Sequence, residues 1–328
     1  MNNPAKWLRR SLCFMAVSVA ATVNAEQISM ETVAPSSVAG IVPQTMASFW
    51  AQDGVDVQLS MNQTLTKSLL KMTQGALDSA VVPPNAYSAL VGGRAPYAGM
   101  GDKGAALAQN VRSLFSIPAS VYHAIVWNDS GIRSWADAEG KRIFIGPPAG
   151  SANEQITSIV KAGGLSEGQY EAVKAPWGAA AQNFQDGQFD VLVSTYGLGS
   201  QALSELSLSR DIRLLSVKPE NAEPPAGLGL VQRTIPAHTY PGQQNEADVI
   251  GWQAVLMLAV KKDLSDELAY ELTKSYMENR QALADGNALL QELPSANPLA
   301  GVNAPLHPGA LRYYREAGIE VPESLTVN

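Results

Sequence analysis

The stretch Ile28-Ser-Met-Glu-Thr-Val33, followed by Gly40-Ile-Val-Pro-Gln-Thr-Met-Ala-Ser-Phe-Trp50 and then Val55-Asp-Val-Gln-Leu-Ser-Met61, decides the fold class. Its outer segments alternate apolar and polar residues with the period of a strand, and the middle one reads as a helix. Thr66 to Gln74 is helical again, Gly75 stops it, and Ser79-Ala-Val-Val82 is a third strand. Strand–helix–strand order at this spacing predicts parallel strands covered by helices, an α/β architecture.

A second set of the same kind follows. Tyr122 to Trp127 reads as a strand, Ile132 to Ala138 as a short helical connection, and Arg142 to Gly146 as another strand. A helix is expected from Ala152 to Ala162, ended by Gly163-Gly164, then a helix over Ala179 to Gln185 and a strand over Phe189 to Ser194. Val249 to Val260 suits a buried strand, and Leu264, Leu268, Leu272 and Tyr276 mark one face of a late amphipathic helix. Gly75-Ala-Leu-Asp78 and Gly187-Gln-Phe-Asp190 each end a helix and open a strand. Their repetition supports two lobes of similar construction, with both acids structural: the glycine takes a left-handed turn and the aspartate bonds local backbone in the bend.

The chain has 328 residues, 46% apolar and 16% charged, with 27 Gly and 20 Pro, which suits about two domains and excludes low-complexity and collagen-like readings. Lys and Arg number 23 against 30 Asp and Glu, a net charge of −7 with no basic stripe, so no nucleic-acid partner is expected. Three histidines and one cysteine leave little for a metal cage or a disulfide framework, and no metal or cofactor is expected.

Residues 1–25 read as a secretory signal peptide: a basic head of Lys6, Arg9 and Arg10, a small apolar run from Ser11 to Ala21, and Val23-Asn24-Ala25 before a cut. The run is too short to span a bilayer, and Cys13 sits inside it without the small-residue pair of a lipoprotein site. Cleavage after Ala25 removes those three cations and no acid, shifting the charge from −7 to −10, and removes the only cysteine. An exported, periplasmic protein without disulfides is expected.

Enzymatic signatures are weak. Gly164-Leu-Ser166-Glu-Gly168 is the one G-x-S-x-G match, but it follows a helix rather than a strand. His123, His238 and His307 lie far apart, and His123 falls in an apolar strand as a core histidine would. Gly146-Pro-Pro-Ala-Gly150 is too proline-rich for a dinucleotide loop. No catalytic residue is assigned.

The strand Arg142–Gly146 instead runs through that loop into Ser151-Ala-Asn153-Glu154, a capping-box pattern that starts a helix beyond the strand's carboxyl end. In open α/β sheets that position faces the ligand crevice, and a helix N-terminus there favours an anion. Comparable turns carry Pro35-Ser36-Ser37, Asn62-Gln63-Thr64 and Pro83-Pro84-Asn85, while Trp177 and Tyr196 end strands of the second set. The candidate ligand-binding residues are Ser36, Ser37, Asn62, Gln63, Thr64, Pro84, Asn85, Gly150, Ser151, Asn153, Trp177 and Tyr196.

Pro305-Leu-His-Pro-Gly-Ala-Leu-Arg-Tyr-Tyr-Arg-Glu-Ala-Gly318 closely resembles the end of the TAXI solute receptors of TRAP transporters. Asp129-Ser-Gly-Ile132, Gly140-Lys-Arg142, Gly146-Pro-Pro148, Gly150-Ser151 and Gly187-Gln-Phe-Asp190 are similar to that family's middle section, in the same order. The resemblance implies a type II periplasmic binding protein, two α/β lobes joined by a two-crossing hinge, with Tyr122–Trp127 and Trp252–Val260 as the crossings. Lobe one would hold 26–126 plus 251–328, and lobe two 127–250. It implies capture of a small organic anion, of the glutamate or dicarboxylate class, delivered to TRAP permease subunits in the membrane. Val38-Ala-Gly40, Asn62 to Lys67, Pro83-Pro84-Asn85 and Asn153 depart from the family's loops. The alternatives are the same fold serving an ABC importer or a sensor, an exported hydrolase built on Ser166, and a structural envelope protein.

Overall fold

The computed structural model describes residues 26–35, 37–148 and 152–326. The segment read as a signal peptide, with Cys13, lies outside the described residues, as do Ser36, Gly150 and Ser151 and hence the capping box that Ser151 would open. The first lobe begins with β1 (Glu26–Glu31), α1 (Val38–Gln52), β2 (Val55–Ser60), α2 (Leu65–Thr73), β3 (Ser79–Val82), α3 (Pro84–Val91) and α4 (Asp102–Ala108). The long β4 (Val111–Trp127) leads into the second lobe: β5 (Arg142–Phe144), α5 (Ala152–Gly163), β6 (Glu171–Val173), α6 (Trp177–Gln185), β7 (Val191–Tyr196), α7 (Gln201–Ser209), β8 (Ile212–Leu214) and β9 (Leu230–Ile235). The equally continuous β10 (Val249–Lys261) returns to the first lobe, which closes with α8 (Asp266–Gly286) and α9 (Pro308–Glu316).

The strands run β2-β1-β3-β10-β4-β7-β5-β6, with β8 on β4 and β9 on β10. β1, β2 and β3 are parallel, as are β5, β6 and β7, and β10 is antiparallel to β3 and to β4. β4 pairs with β10 along its first part and with β7 and β8 from Val121 to Trp127. β10 pairs with β9 from Val249 to Ala254 before it joins β3. Both strands therefore belong to both lobes. Each lobe packs apolar clusters on the two faces of its part of the sheet, as strands buried on both sides require.

The expected strand at Tyr122–Trp127 is the final part of β4; its earlier part was not legible as a strand because Ser113, Ser116 and Pro118 interrupt the apolar pattern. The C-terminal chain satisfies those polar groups. Ser113 donates its N–H to Pro305 O at 2.8 Å and its hydroxyl to Ala304 O at 2.8 Å, and Ser116 N–H bonds Pro298 O at 2.7 Å.

The Gly-x-x-Asp echo is structural, but its aspartates do not bond local backbone. Asp78 accepts from the N–H of Ser29 at 2.8 Å and from its hydroxyl at 2.7 Å, and pairs with Lys261 at 2.8 Å. Asp190 accepts from the N–H of Arg142 at 2.9 Å and pairs with its guanidinium at 2.8 Å. In each lobe the bonded pair stands one residue before the parallel ladder begins, at Met30–Ser79 and at Ile143–Val191. The carboxylate supplies the acceptor that the ladder does not yet provide at that edge.

The C-terminal motif is a packing device. His307 caps α9 by accepting from Gly309 N–H at 3.3 Å, and Pro308 fills the first helical position. A Cβ on Gly309 would lie 2.0 Å from Asp266 O on α8, so only glycine permits this approach. Tyr314, fully buried, donates to Leu114 O on β4 at 2.9 Å.

Replacing Asp78 or Asp190 with Asn should each lower stability by about 1–2 kcal/mol in urea unfolding, with the two effects additive within about 0.5 kcal/mol because the sites lie in different lobes. Hydrogen bonding and charge from Arg142 hold the Asp190 carboxyl below its ordinary range. Its contribution is thus complete above that range and is lost as pH falls through the lowered value, so Asp190→Asn should cost less at pH 3 than at pH 7.

Candidate functional site

The two long strands part where they pass between lobes. The β10–β4 register shifts between Gln253 and Val255, opposite Pro118 and Val121. Pro118 has no N–H to donate, and residues 118–120 are less buried than the strand on either side. A cavity of about 300 Å³ opens at this point, lined by Pro118, Ala119, Ser120 and Val121, by Gln253, by Val38, by Gly197 and Leu198, and by residues 288–293. Val38 is the first residue of α1, so the positive end of that helix abuts the cavity. Gly197 and Leu198 follow β7 of the second lobe, and the segment after α8 closes the remaining side.

A polar network sets the cavity's floor. The Gln253 amide donates to Ala119 O on the facing strand at 2.9 Å and to Glu292 at 3.0 Å. The other Glu292 oxygen takes the Arg233 guanidinium from β9, so the one acid in the lining is already neutralised. Behind the wall, His123 is fully buried. Its Nδ1 lies 2.9 Å from Val121 O and its Nε2 lies 2.8 Å from the Tyr240 hydroxyl. Elsewhere the lobes touch through an exposed ion pair from Arg94, beyond α3, to Glu154 in the first turn of α5, and through Ser88 Oγ, which donates to Gly227 O at 3.1 Å.

The described residues expected to bind ligand lie at or beside the junctions of strands and helices, and several already spend their polar groups there. Ser37 caps α1, accepting from Gly40 N–H and donating to Ala34 O at 2.9 Å. Asn62 is exposed in a left-handed turn with φ 59°, the Gln63 amide folds back on Met61 O at 2.8 Å, and Thr64 precedes α2. Pro84 and Asn85 are buried in the first turn of α3, and Pro84 O accepts from Asn303 at 2.8 Å. The Asn153 amide donates to Ile145 O across the β5–α5 loop. Trp177 opens α6 with its edge toward Phe144 and is 39% exposed, and Tyr196 ends β7 edge-on to His123. None of these described residues lines the hinge cavity, although Ser37 and Tyr196 adjoin the lining residues Val38 and Gly197.

Asn153 does line a second cavity of about 520 Å³ beside α5 and β6, with Thr157, Lys161, Ser166, Tyr170 and Lys174. Ser166 lies in a turn after α5, its N–H donating to Gln169 at 2.7 Å, and no histidine lines that cavity. Among the described residues no group of three or more His, Cys, Asp or Glu is placed to hold a metal ion, and no helix is long and apolar enough to cross a membrane. Sequence reasoning missed every residue of the hinge-cavity lining, among them Pro118 to Val121, Gln253 and Glu292. One signal was available: Gln253 is the lone polar side chain in the apolar run Val249 to Val260.

Burial pushes the His123 imidazole down to about 4. The unfolded chain takes up this proton near pH 6.5 and the folded chain does not until about pH 4, so stability should fall as pH drops through that window. His123→Asn should remove about 2–3 kcal/mol of that acid-induced loss, read from urea unfolding at pH 7 and pH 4.

The fold matches solved periplasmic solute-binding proteins. It is similar to the periplasmic sulfonate-binding protein SsuA from Methylobacillus flagellatus KT, with 12% identity, 80% of this chain and 70% of that chain covered, and a TM-score of 0.52. Further matches are the periplasmic aliphatic sulphonate binding protein SsuA from Escherichia coli, at 11% identity, 89% and 83% coverage and a TM-score of 0.48, and a TRAP periplasmic solute binding protein from Rhodobacter sphaeroides, at 12% identity, 81% and 83% coverage and a TM-score of 0.48. The NMT1-like family model spans residues 41–318, which takes in both lobes and the hinge, and the chain belongs to the NMT1-like family.

Proposed function

We propose that this chain is an exported solute-binding receptor, not an enzyme, that closes its two lobes on a small organic anion at the hinge cavity and hands it to a membrane permease. The observation that carries this reading is the cavity where β4 and β10 cross between lobes, walled by both lobes and abutted by the N-terminus of α1. A volume of about 300 Å³ sits at the small end of ligand pockets. The neutralised Glu292 leaves the helix end as the charged-ligand determinant. Lobe one comprises 26–126 plus 251–328 and lobe two 127–250, and residues 1–25 direct export to the periplasm. Ser37, Asn62, Gln63, Thr64, Pro84, Asn85, Asn153, Trp177 and Tyr196 lie outside the lining of that cavity and stay, with Ser36, Gly150 and Ser151, as proposed ligand contacts on the strength of their sequence positions.

The resemblance of residues 305–318 to TAXI receptors favours a sodium-driven TRAP permease and a glutamate or dicarboxylate ligand. A second reading, an ABC importer carrying a sulfonate, is favoured by the fold shared with the Methylobacillus sulfonate-binding protein. Both ligand classes put a compact anion against backbone amides.

Thermal unfolding of the purified protein with carboxylates, acidic amino acids and alkanesulfonates should reveal stabilisation of about 2.7 kcal/mol at a hundredfold excess over Kd. The panel that shifts it separates the two readings, and silence from all three overturns the receptor reading. The Arg94–Glu154 pair is exposed on both sides, so Arg94→Ala should change stability by less than about 1 kcal/mol. The same variant should enlarge the radius of gyration of the ligand-free protein in X-ray scattering, because the pair ties the lobes together.

A further inference from the structure

We propose that Tyr240, seated on His123, is the positioning residue that fixes the second-lobe wall of the hinge cavity; this rests on the receptor reading above. The wall is Gly197-Leu198, in a turn closed by the Ser200 N–H on Gly197 O at 3.0 Å, and the next residue, Gly199, has φ 72°. Tyr240 comes from the chain after β9, distant in sequence, and is 1% exposed. Its hydroxyl accepts the Gly199 N–H at 3.2 Å and lies 3.4 Å from Gly197 O.

The direction of each hydrogen bond follows from the partners. Val121 O can only accept, so His123 Nδ1 carries the ring proton. Nε2 is then an acceptor and takes the Tyr240 hydroxyl hydrogen at 2.8 Å, which leaves the phenol oxygen's lone pairs for Gly199 N–H. One relay thus ties Val121, which lines the cavity, to Gly199, the residue that follows the lining pair Gly197 and Leu198, through two buried side chains. Tyr196 packs T-shaped against the same imidazole, with ring centroids 5.8 Å apart.

If the turn is free to leave this position, affinity falls by the fraction of molecules that hold it. Tyr240→Phe keeps the ring and deletes only the hydroxyl. In this variant the Gly199 amide should exchange with solvent at least tenfold faster than in wild type. Whichever of succinate, L-glutamate or ethanesulfonate the wild type binds should bind three- to tenfold more weakly by calorimetry. Tyr270→Phe, which removes an exposed bond to Glu316 in the first lobe, should change neither. Should Tyr240→Phe fail to fold, His123→Asn, which withdraws the Nε2 acceptor, is read by the same two measurements and should move both in the same direction. Unchanged Gly199 exchange, or faster exchange with unchanged affinity, overturns the positioning role while leaving the receptor reading intact. Failure of the wild type to bind all three probes overturns the receptor reading and this inference with it.

Discussion

Everything in this molecule hangs on one antiparallel pair, β4 against β10. These strands are the shared property of two lobes, each of which has its own parallel set, β1 to β3 and β5 to β7. A pair that must serve two twisted sheets cannot keep one register, and it slips at Gln253 and Val255. Backbone groups freed by the slip would be costly if left buried, and Gln253 answers one of them by donating to Ala119 O. The space left over is the cavity. The constraint that joins the lobes therefore creates the place between them where a solute can be held.

Around that pair the lobes are built by the same device. Asp78 and Asp190 each start a parallel ladder by capturing an N–H of the neighbouring strand, so both lobes lock their central strands at the edge away from the strand-to-helix turns. This leaves the turns free to differ. In the first lobe Lys261 of β10 completes the aspartate's pairing, whereas in the second Arg142 does so from the strand itself.

The strands and helices of the parallel units were legible because each spans one clean period: Val55–Ser60 alternates, and Leu264, Leu268 and Leu272 repeat by four. The two aspartates were recognised as structural, but their partners lie 48 or 49 residues away, which no local pattern encodes. The first part of β4 was hidden because its serines bond the C-terminal chain. The same reason hid the cavity: its lining comes from residues near 38, 120, 197, 253 and 290, which only the hinge brings together. Gly309 shows the reverse case, a residue singled out by family likeness whose cause is a helix approach that leaves no room for a Cβ.

The charge distribution at the hinge bears on what such a receptor can select. The lining contains no lysine or arginine, and Arg233, which borders it, is committed to Glu292. Attraction for an anion then comes from oriented amides, of which a helix end supplies roughly 0.3–1 kcal/mol in an exposed setting and up to about 2 kcal/mol when partly buried. Those amounts are too small for tight capture in an open cleft, and they grow only as water leaves and the effective dielectric falls. On the proposed reading closure is the source of recognition rather than an accessory to it. On that reading the apolar lining residues Val38, Pro118, Leu198 and Leu289 would serve affinity by excluding water. Leu289, 50% exposed, lies against Gly197, so an apolar side chain from the segment after α8 already meets the second-lobe wall.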